Sequence, residues 1–421
     1  VKKIVTEPRS SSAPRIYYGW FMLVAVSITE VVSWGILFYA FTVFIAPMQA
    51  DLGWSQVALT GAFSLALLCS GVAAVPVGRW LDRHGPRALM TLGSCVGSLL
   101  LIAWSQVTEL WVFYLIMAGI GTVSAAVLYD PAFAIIATWF RRERGRALTV
   151  LTFFGALASF IFIPLSAWLV EQLGWRMALV ALAGILAVIT IPLHAVMLRR
   201  RPADLGLLPD GAPAEADPAQ TTRAAPNQPE QSMSAAAAVR ETSFWWLSLT
   251  FAISTFTYVA MTVHLIPYLV ENGNSPTFAA TVAGLFGLMS LIGRLTIGPF
   301  GDRYPRHIIT AGLLAMQLVG IAVLAVSPSM VGALVYIALF GAGMGTMTIM
   351  RAALLAERYG PANYGTINGT LSMTLTVAKT LAPLGAGLLA VQLGGYVALL
   401  WLLAAMTSVG LVAVLRVGRG S

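Results

Sequence analysis

Gly78–Arg87 reads GRWLDRHGPR, and Gly298–His307 reads GPFGDRYPRH. Both segments have the form G-x-x-x-D-R, and each follows an apolar run long enough to cross a bilayer. They stand about half of the 421 residues apart, so the chain is read as two related halves. Composition agrees with a bilayer setting. Apolar residues make up 58% and charged residues only 10%, with a mean hydropathy of +0.82, whereas soluble domains carry about 25% charge. Soluble enzymes and nucleic-acid-binding proteins are excluded on that ground. The net charge of +8 is a topology signal: of the 25 Lys and Arg, only Arg176 falls in a loop assigned to the outside.

Runs that cover a hydrocarbon core of about 30 Å at about 1.5 Å per residue fall at roughly 17–46, 57–79, 88–107, 111–138, 147–170 and 176–197. A second set falls at roughly 243–270, 278–300, 307–327, 331–356, 365–391 and 395–415. The expected fold is therefore an all-α membrane protein of twelve helices, with an N-terminal half over 1–198 and a C-terminal half over 241–421. Residues 199–240, rich in Pro, Ala and charge, cannot bury a core and are read as a cytoplasmic linker. Placing the linker inside also places Arg79, Arg83, Arg87, Arg141, Arg142, Arg144, Arg146, Arg303, Arg306 and Arg358 inside. Val1 to Arg15 is polar and basic and lacks the pattern of a cleaved leader, so the N-terminus is expected in the cytoplasm; twelve spans put both termini on that side, and the arginine-over-lysine bias with compact loops points to the inner (plasma) membrane. Cys69 and Cys95 lie in apolar segments and read as packing residues, not as a disulfide or metal pair. No G-x-x-x-x-G-K-[ST] is present, so direct drive by ATP is not expected; no cofactor is expected either.

Extended by Gly85 and Arg87, the first loop becomes G-x-x-x-D-R-x-G-x-R, which resembles the signature loop of the major facilitator superfamily. Tyr18-Gly19-Trp20, the run Trp139 to Ala147 (WFRRERGRA) and His264-Leu265-Ile266-Pro267-Tyr268 narrow the likeness. They resemble the monocarboxylate transporter family and its bacterial relatives, which include the oxalate:formate antiporter. The resemblance implies two six-helix halves around a central cavity, working by alternating access. It also implies that Asp82, Arg83, Arg87, Asp302 and Arg303 form a cytoplasmic gate latch, with Asp82 the strongest member.

Charges inside spans carry the functional reading, because one at a helix centre costs roughly 2.5–3.5 kcal/mol on insertion scales. Glu30, Asp130, Arg294 and Lys379 stand well inside, while Arg351 and His264 lie nearer helix ends. An arginine grips a carboxylate through two parallel bonds, so Arg294 is read as a substrate anchor, with an ion pair to Glu30 or Asp130 as its structural alternative. The resemblance agrees, since the family's eighth-helix Arg is its carboxylate anchor and the oxalate:formate antiporter adds an eleventh-helix Lys, the position of Lys379. A structural pairing of Lys379 with Glu30 stays open. Tyr129 matches a fourth-helix Tyr that contacts substrate in the family. Asp130 has Arg142 or Arg351 as possible packing partners. Ser290, one turn from Arg294, joins Trp34, Tyr39 and Tyr258 as candidate cavity residues. For proton coupling the candidates are Glu30, Asp130 and His264; the family's animal members use a first-helix Lys that this chain lacks.

The expected function is secondary transport of small organic anions, mono- or dicarboxylates such as lactate or oxalate, by proton symport or anion exchange. The expected partners are that carboxylate, protons or a counter-anion, and membrane lipid, with no nucleic acid. Two rivals remain at this stage: a facilitator exporting larger amphipathic or cationic compounds through Glu30 and Asp130, and a sensor that binds a carboxylate without moving it.

Overall fold

The computed structural model describes residues 17–211, 232–297 and 304–418 and is built from helices. Asp302 and Arg303, with most of the second G-x-x-x-D-R loop, lie outside the described residues. α1 (Tyr18–Trp34) passes through a π-helical turn (Gly35–Tyr39) into α2 (Phe41–Leu52), forming the first span. α3 (Gln56–His84) and α4 (Pro86–Ser105) follow. α5 (Leu110–Val127) and α6 (Tyr129–Trp139) form the fourth span. A proline within an apolar span predicts a bend at Pro131, but the break falls at Leu128 (φ −95°, ψ −159°). Pro131 instead occupies the first turn of α6, where a missing N–H costs no hydrogen bond.

α7 (Arg144–Met197) has 54 residues, far more than one crossing needs, and is divided at Gly174 (φ 74°, ψ 160°), a conformation open to glycine. The division is a reversal. Tyr17 Oη donates to Trp139 O, just before α7 begins, and Tyr18 Oη donates to Met197 O, where it ends, so both ends lie beside neighbouring tyrosines. A short α8 (Ala235–Arg240) precedes α9 (Thr242–Glu271), α10 (Pro276–Thr296) and α11 (Arg306–Val326). The chain closes with α12 (Met330–Tyr359), α13 (Tyr364–Gln392) and α14 (Tyr396–Gly418). By length and composition nine helices among the described residues can cross a bilayer, with the bent α13 making up to ten. Counting α7 twice and adding the shorter apolar α10 is consistent with twelve crossings.

Three apolar cores hold the bundle. One joins residues of α1, α6 and α7 to residues of α9, α12, α13 and α14 at the end that carries the linker. The other two are separate: one runs from Val32 to Leu186 and one from Ala260 to Ala404. The two halves of the chain are thus fused at the linker end and apart at the other. Along the seam, α3 and α13 approach so closely that a Cβ on Gly78 would collide with the backbone of Gly365, and one on Gly369 with Ala74 O. Asp82 completes this seam, accepting from the free first-turn N–H groups of Gly365 and Thr366 at 2.8 Å each.

Both ends of the bundle have polar fastenings. At the linker end Asp210, in a left-handed conformation (φ 61°), accepts from the N–H groups of Arg141 (3.2 Å) and Arg142 (2.9 Å), which ties the linker to the entry of α7. Arg144 is buried and donates to Phe140 O and Ala137 O, so this cation closes the C-terminal carbonyls of α6. At the other end Arg176 pairs with Asp51 at 3.0 Å and donates to Ser105 O and Val107 O, which explains one cation on that side.

The seam yields a direct expectation. Hydrogen bonds to a charged group contribute about 1.5–3 kcal/mol, so Asp82→Asn should depopulate the closed seam by roughly tenfold. In a background with Cys69 and Cys95 replaced, Ser372→Cys should then react faster with an impermeant maleimide supplied from the linker side. Unchanged labelling would mean that glycine packing alone holds the seam.

Candidate functional site

A cavity of about 270 Å³ lies between the halves, beyond the α3–α13 seam. α3 contributes Ser70, Gly71 and Ala74, the fourth span Ser124, Ala125, Tyr129 and Asp130, and α9 Phe251, Thr255 and Tyr258. Trp34 comes from α1, Met344, Met347, Thr348 and Arg351 from α12, and Ser372, Leu375, Thr376 and Lys379 from α13. Counted from the linker end of each helix at 1.5 Å per residue, Arg351 and Ser372 stand about 12 Å deep and Tyr258 and Lys379 about 22–24 Å. The cavity therefore brackets the middle of a hydrocarbon core about 30 Å thick.

Its charges are two cations and one carboxylate: Arg351, Lys379 and Asp130. Arg351 Nη2 meets Asp130 Oδ1 at 3.5 Å, so of the two partners the sequence offers for Asp130, the structure selects Arg351. Asn368 Nδ2 donates to the same oxygen at 2.9 Å. Lys379, deep by position, is exposed to the open cavity and has no ion-pair partner among the described residues. Arg351 and Asp130 both lie within its electrostatic reach.

Arg294 is half-buried and is not among the residues that line this cavity, but it lies near Tyr129 and Tyr258, which do. Its Nε donates to Gly345 O at 3.1 Å and its Nη1 to Thr152 O at 2.6 Å, so it bridges α12 of its own half and α7 of the other. No carboxylate pairs with it among the described residues. Tyr39, Tyr129 and Tyr258 all lie within its electrostatic reach. The Tyr129 phenol fills the space that Gly155 leaves open, one turn beyond Thr152. Ser290 is buried against Gly345, whose carbonyl Arg294 uses.

An aromatic file connects these groups. Trp34 packs on Tyr129 (ring centroids 5.0 Å) and also meets Tyr39 (6.2 Å), Tyr129 stacks on Phe133 (5.1 Å), and the Arg351 guanidinium lies 5.9 Å from the Phe133 ring. Glu30, one helical turn before Trp34, is fully buried, and neither of its carboxyl oxygens has a hydrogen-bond partner. It pairs with neither Arg294 nor Lys379. His264 stands apart, with Nε2 at 3.1 Å from Pro383 O and its ring near Tyr396. Asp82, Arg83 and Arg87 are at the linker end, where Asp82 bonds α13 and both arginines are exposed.

The structure thus gathers Arg294 with the three tyrosines and Ser290, and Lys379 with Asp130, Trp34 and Tyr258. Sequence reasoning missed Arg351 as a cavity group because the apolar run ends near Ala356. The helix itself continues through Glu357 and Arg358 to Tyr359, which puts Arg351 deeper. Asn368 and the carbonyls of Thr152 and Gly345 carried no signal at all.

Comparison with known proteins agrees with this architecture. Monocarboxylate transporter 13 of Bos taurus is 24% identical over 385 residues, covering 90% of this chain and 82% of that protein. Monocarboxylate transporter 12 of Xenopus laevis is 23% identical over 346 residues, with 78% and 74% covered. Among solved structures, the major facilitator superfamily transporter FucP in the outward conformation superposes with a TM-score of 0.73 at 14% identity, over 95% of this chain and 99% of that one, a likeness of fold. The Major Facilitator Superfamily profile matches residues 26–272 and 247–420, and with nearly the whole chain so covered, the protein belongs to the major facilitator superfamily of membrane transporters.

Proposed function

We propose that this transporter carries small organic anions, mono- or dicarboxylates of the size of lactate or oxalate, by alternating access between its two halves. The observation that carries the reading is the excess of cations over carboxylates at a midplane cavity between the halves, with Arg351 and Lys379 facing Asp130 and Arg294 beside them. An anion entering that cavity meets uncompensated positive charge in a setting of low dielectric, where such charge acts strongly. A volume of about 270 Å³ suits a small acid better than the larger amphipathic compounds of the rival reading. Similarity to transporters named for monocarboxylates supports the same class.

Arg294 is the anchor in this reading. Its donors rest on two backbone carbonyls, which a carboxylate displaces at little cost because a charged acceptor makes the stronger bond. Lys379 supplies the second cation for a dicarboxylate, and the phenols of Tyr39, Tyr129 and Tyr258 position the carbon skeleton. Glu30 is the proton-coupling group, taking up a proton when a dicarboxylate occupies the cations of the site. With the basic loops and linker in the cytoplasm, the state described here is closed to the cytoplasm and opens outward, with both termini inside and the inner (plasma) membrane as its site.

Arg294→Lys keeps the charge and loses the planar fork. Oxalate and lactate uptake into proteoliposomes should fall by about tenfold or more, with membrane insertion preserved; near-normal flux would remove Arg294 as anchor. Lys379→Ala should damage dicarboxylate transport more than monocarboxylate transport, since a dicarboxylate alone occupies both cations. Equal losses for the two classes would make Lys379 structural. Glu30→Gln should abolish accumulation driven by a pH gradient while leaving counterflow exchange at zero gradient largely intact. Were Glu30→Gln still to concentrate substrate under that gradient, the coupling group would be Asp130 or His264.

A further inference from the structure

Arg351 and Asp130 face each other across the boundary between the halves, one on α12 and the other on α6. Their contact is unlike a finished structural ion pair. At 3.5 Å it exceeds the roughly 2.7–2.9 Å of a charge-assisted bond, and it uses only Oδ1, which Asn368 already engages at 2.9 Å. Arg351 Nε is buried with no partner. The side chains retain 15% and 27% exposure and line the cavity. A guanidinium with donors to spare, held loosely by a carboxylate in a cavity wall, is arranged to exchange one carboxylate for another.

We propose that Arg351 is a second anchor for substrate carboxylate, that Asp130 is its resting counter-ion, and that the exchange of one for the other loosens the halves at the linker end. The inference rests on the carboxylate reading above and names a residue and a step that reading does not contain. When substrate takes Arg351, Asp130 keeps its bond from Asn368 and has Lys379 within electrostatic reach, so the displaced charge is not stranded. Arg294 behaves in parallel, because leaving Thr152 O also removes a contact between the halves at a similar depth. The cations that bind the anion are thus the ones that clasp the bundle shut, and binding and unclasping become a single event.

The test measures binding of oxalate and lactate to the purified full chain, together with linker-side maleimide labelling of Ser372→Cys. Asp130→Asn removes the competing charge and should bind oxalate about tenfold more tightly, a shift of roughly 1.4 kcal/mol, and should label faster without substrate. Arg351→Gln should weaken oxalate binding by a similar factor. Because Arg351→Gln leaves Asp130 without its cation, the double variant Arg351→Gln/Asp130→Asn supplies a charge-neutral partner that should fold and bind as weakly as Arg351→Gln. Wild-type affinity in that double variant, or unchanged affinity in Asp130→Asn, overturns the assignment. If Arg294→Lys loses oxalate while Arg351→Gln binds like wild type, only the present inference fails. If the wild type binds neither acid, the carboxylate reading fails and this inference with it.

Discussion

Burying a charge in hydrocarbon costs several kcal/mol unless a partner, a dipole or water compensates it, and the arrangement of this bundle follows from how its few intramembrane charges are compensated. Arg294 is held by two backbone carbonyls, Arg351 by Asp130 and the Phe133 ring, and Lys379 by the opening of the cavity around it. Those solutions place every one of these cations on the boundary between the halves, since a lipid-facing position offers none of them. Once there, Arg351 and Lys379 line a midplane cavity, and Arg294 stands near it.

The same boundary carries the mechanical problem. At the linker end a single apolar core joins both halves, and at the other end each half has its own. On the alternating-access reading, opening the linker end divides the shared core, at a loss of apolar burial of about 25 cal/mol per Å² that new burial at the opposite end has to offset. To the extent that the two apolar terms offset on that reading, polar contacts across the boundary weigh on which end is open. Asp82 with Gly365 and Thr366, Arg294 with Thr152, and Arg351 with Asp130 are such contacts. The first is at the membrane surface, whereas Arg351 and Asp130 line the cavity and Arg294 lies near Tyr129 in its wall.

The spans were legible in sequence to within a few residues because hydropathy reports the bilayer, the dominant solvent for this chain. Helix ends were less so: α3 and α12 run on through Asp82, Arg83, Glu357 and Arg358, since a helix ends for lack of backbone partners and not where lipid does. The π-turn at Gly35–Tyr39 and the break at Leu128 have no local residue that demands them, and Pro131 pointed close by without marking the place. Of the site, the residue types that are expensive in lipid were readable, Glu30, Asp130, Arg294 and Lys379 among them. Their partners were not. A carbonyl acceptor such as Gly345 O exists at every position, so nothing in the sequence singles it out. Pairing across the halves, as in Asp130 with Arg351 and Asn368, depends on contacts between residues more than 220 positions apart.

On the carboxylate reading, charge balance connects substrate valence to protons. The site and its immediate surroundings hold Arg294, Arg351 and Lys379 against Asp130 and Glu30, three cations to two carboxyl groups. With both carboxyls ionised, one negative charge from outside restores neutrality, and a monocarboxylate supplies it. With a proton on Glu30 the surplus rises to two, which a dicarboxylate neutralises. On the carboxylate reading, a dicarboxylate and a proton therefore enter as a unit, whereas a monocarboxylate needs none, because either mismatch leaves a net charge to be carried through low dielectric as the halves rock. Selectivity between the two acids and the choice between symport and exchange would then be one property, set by whether Glu30 holds its proton.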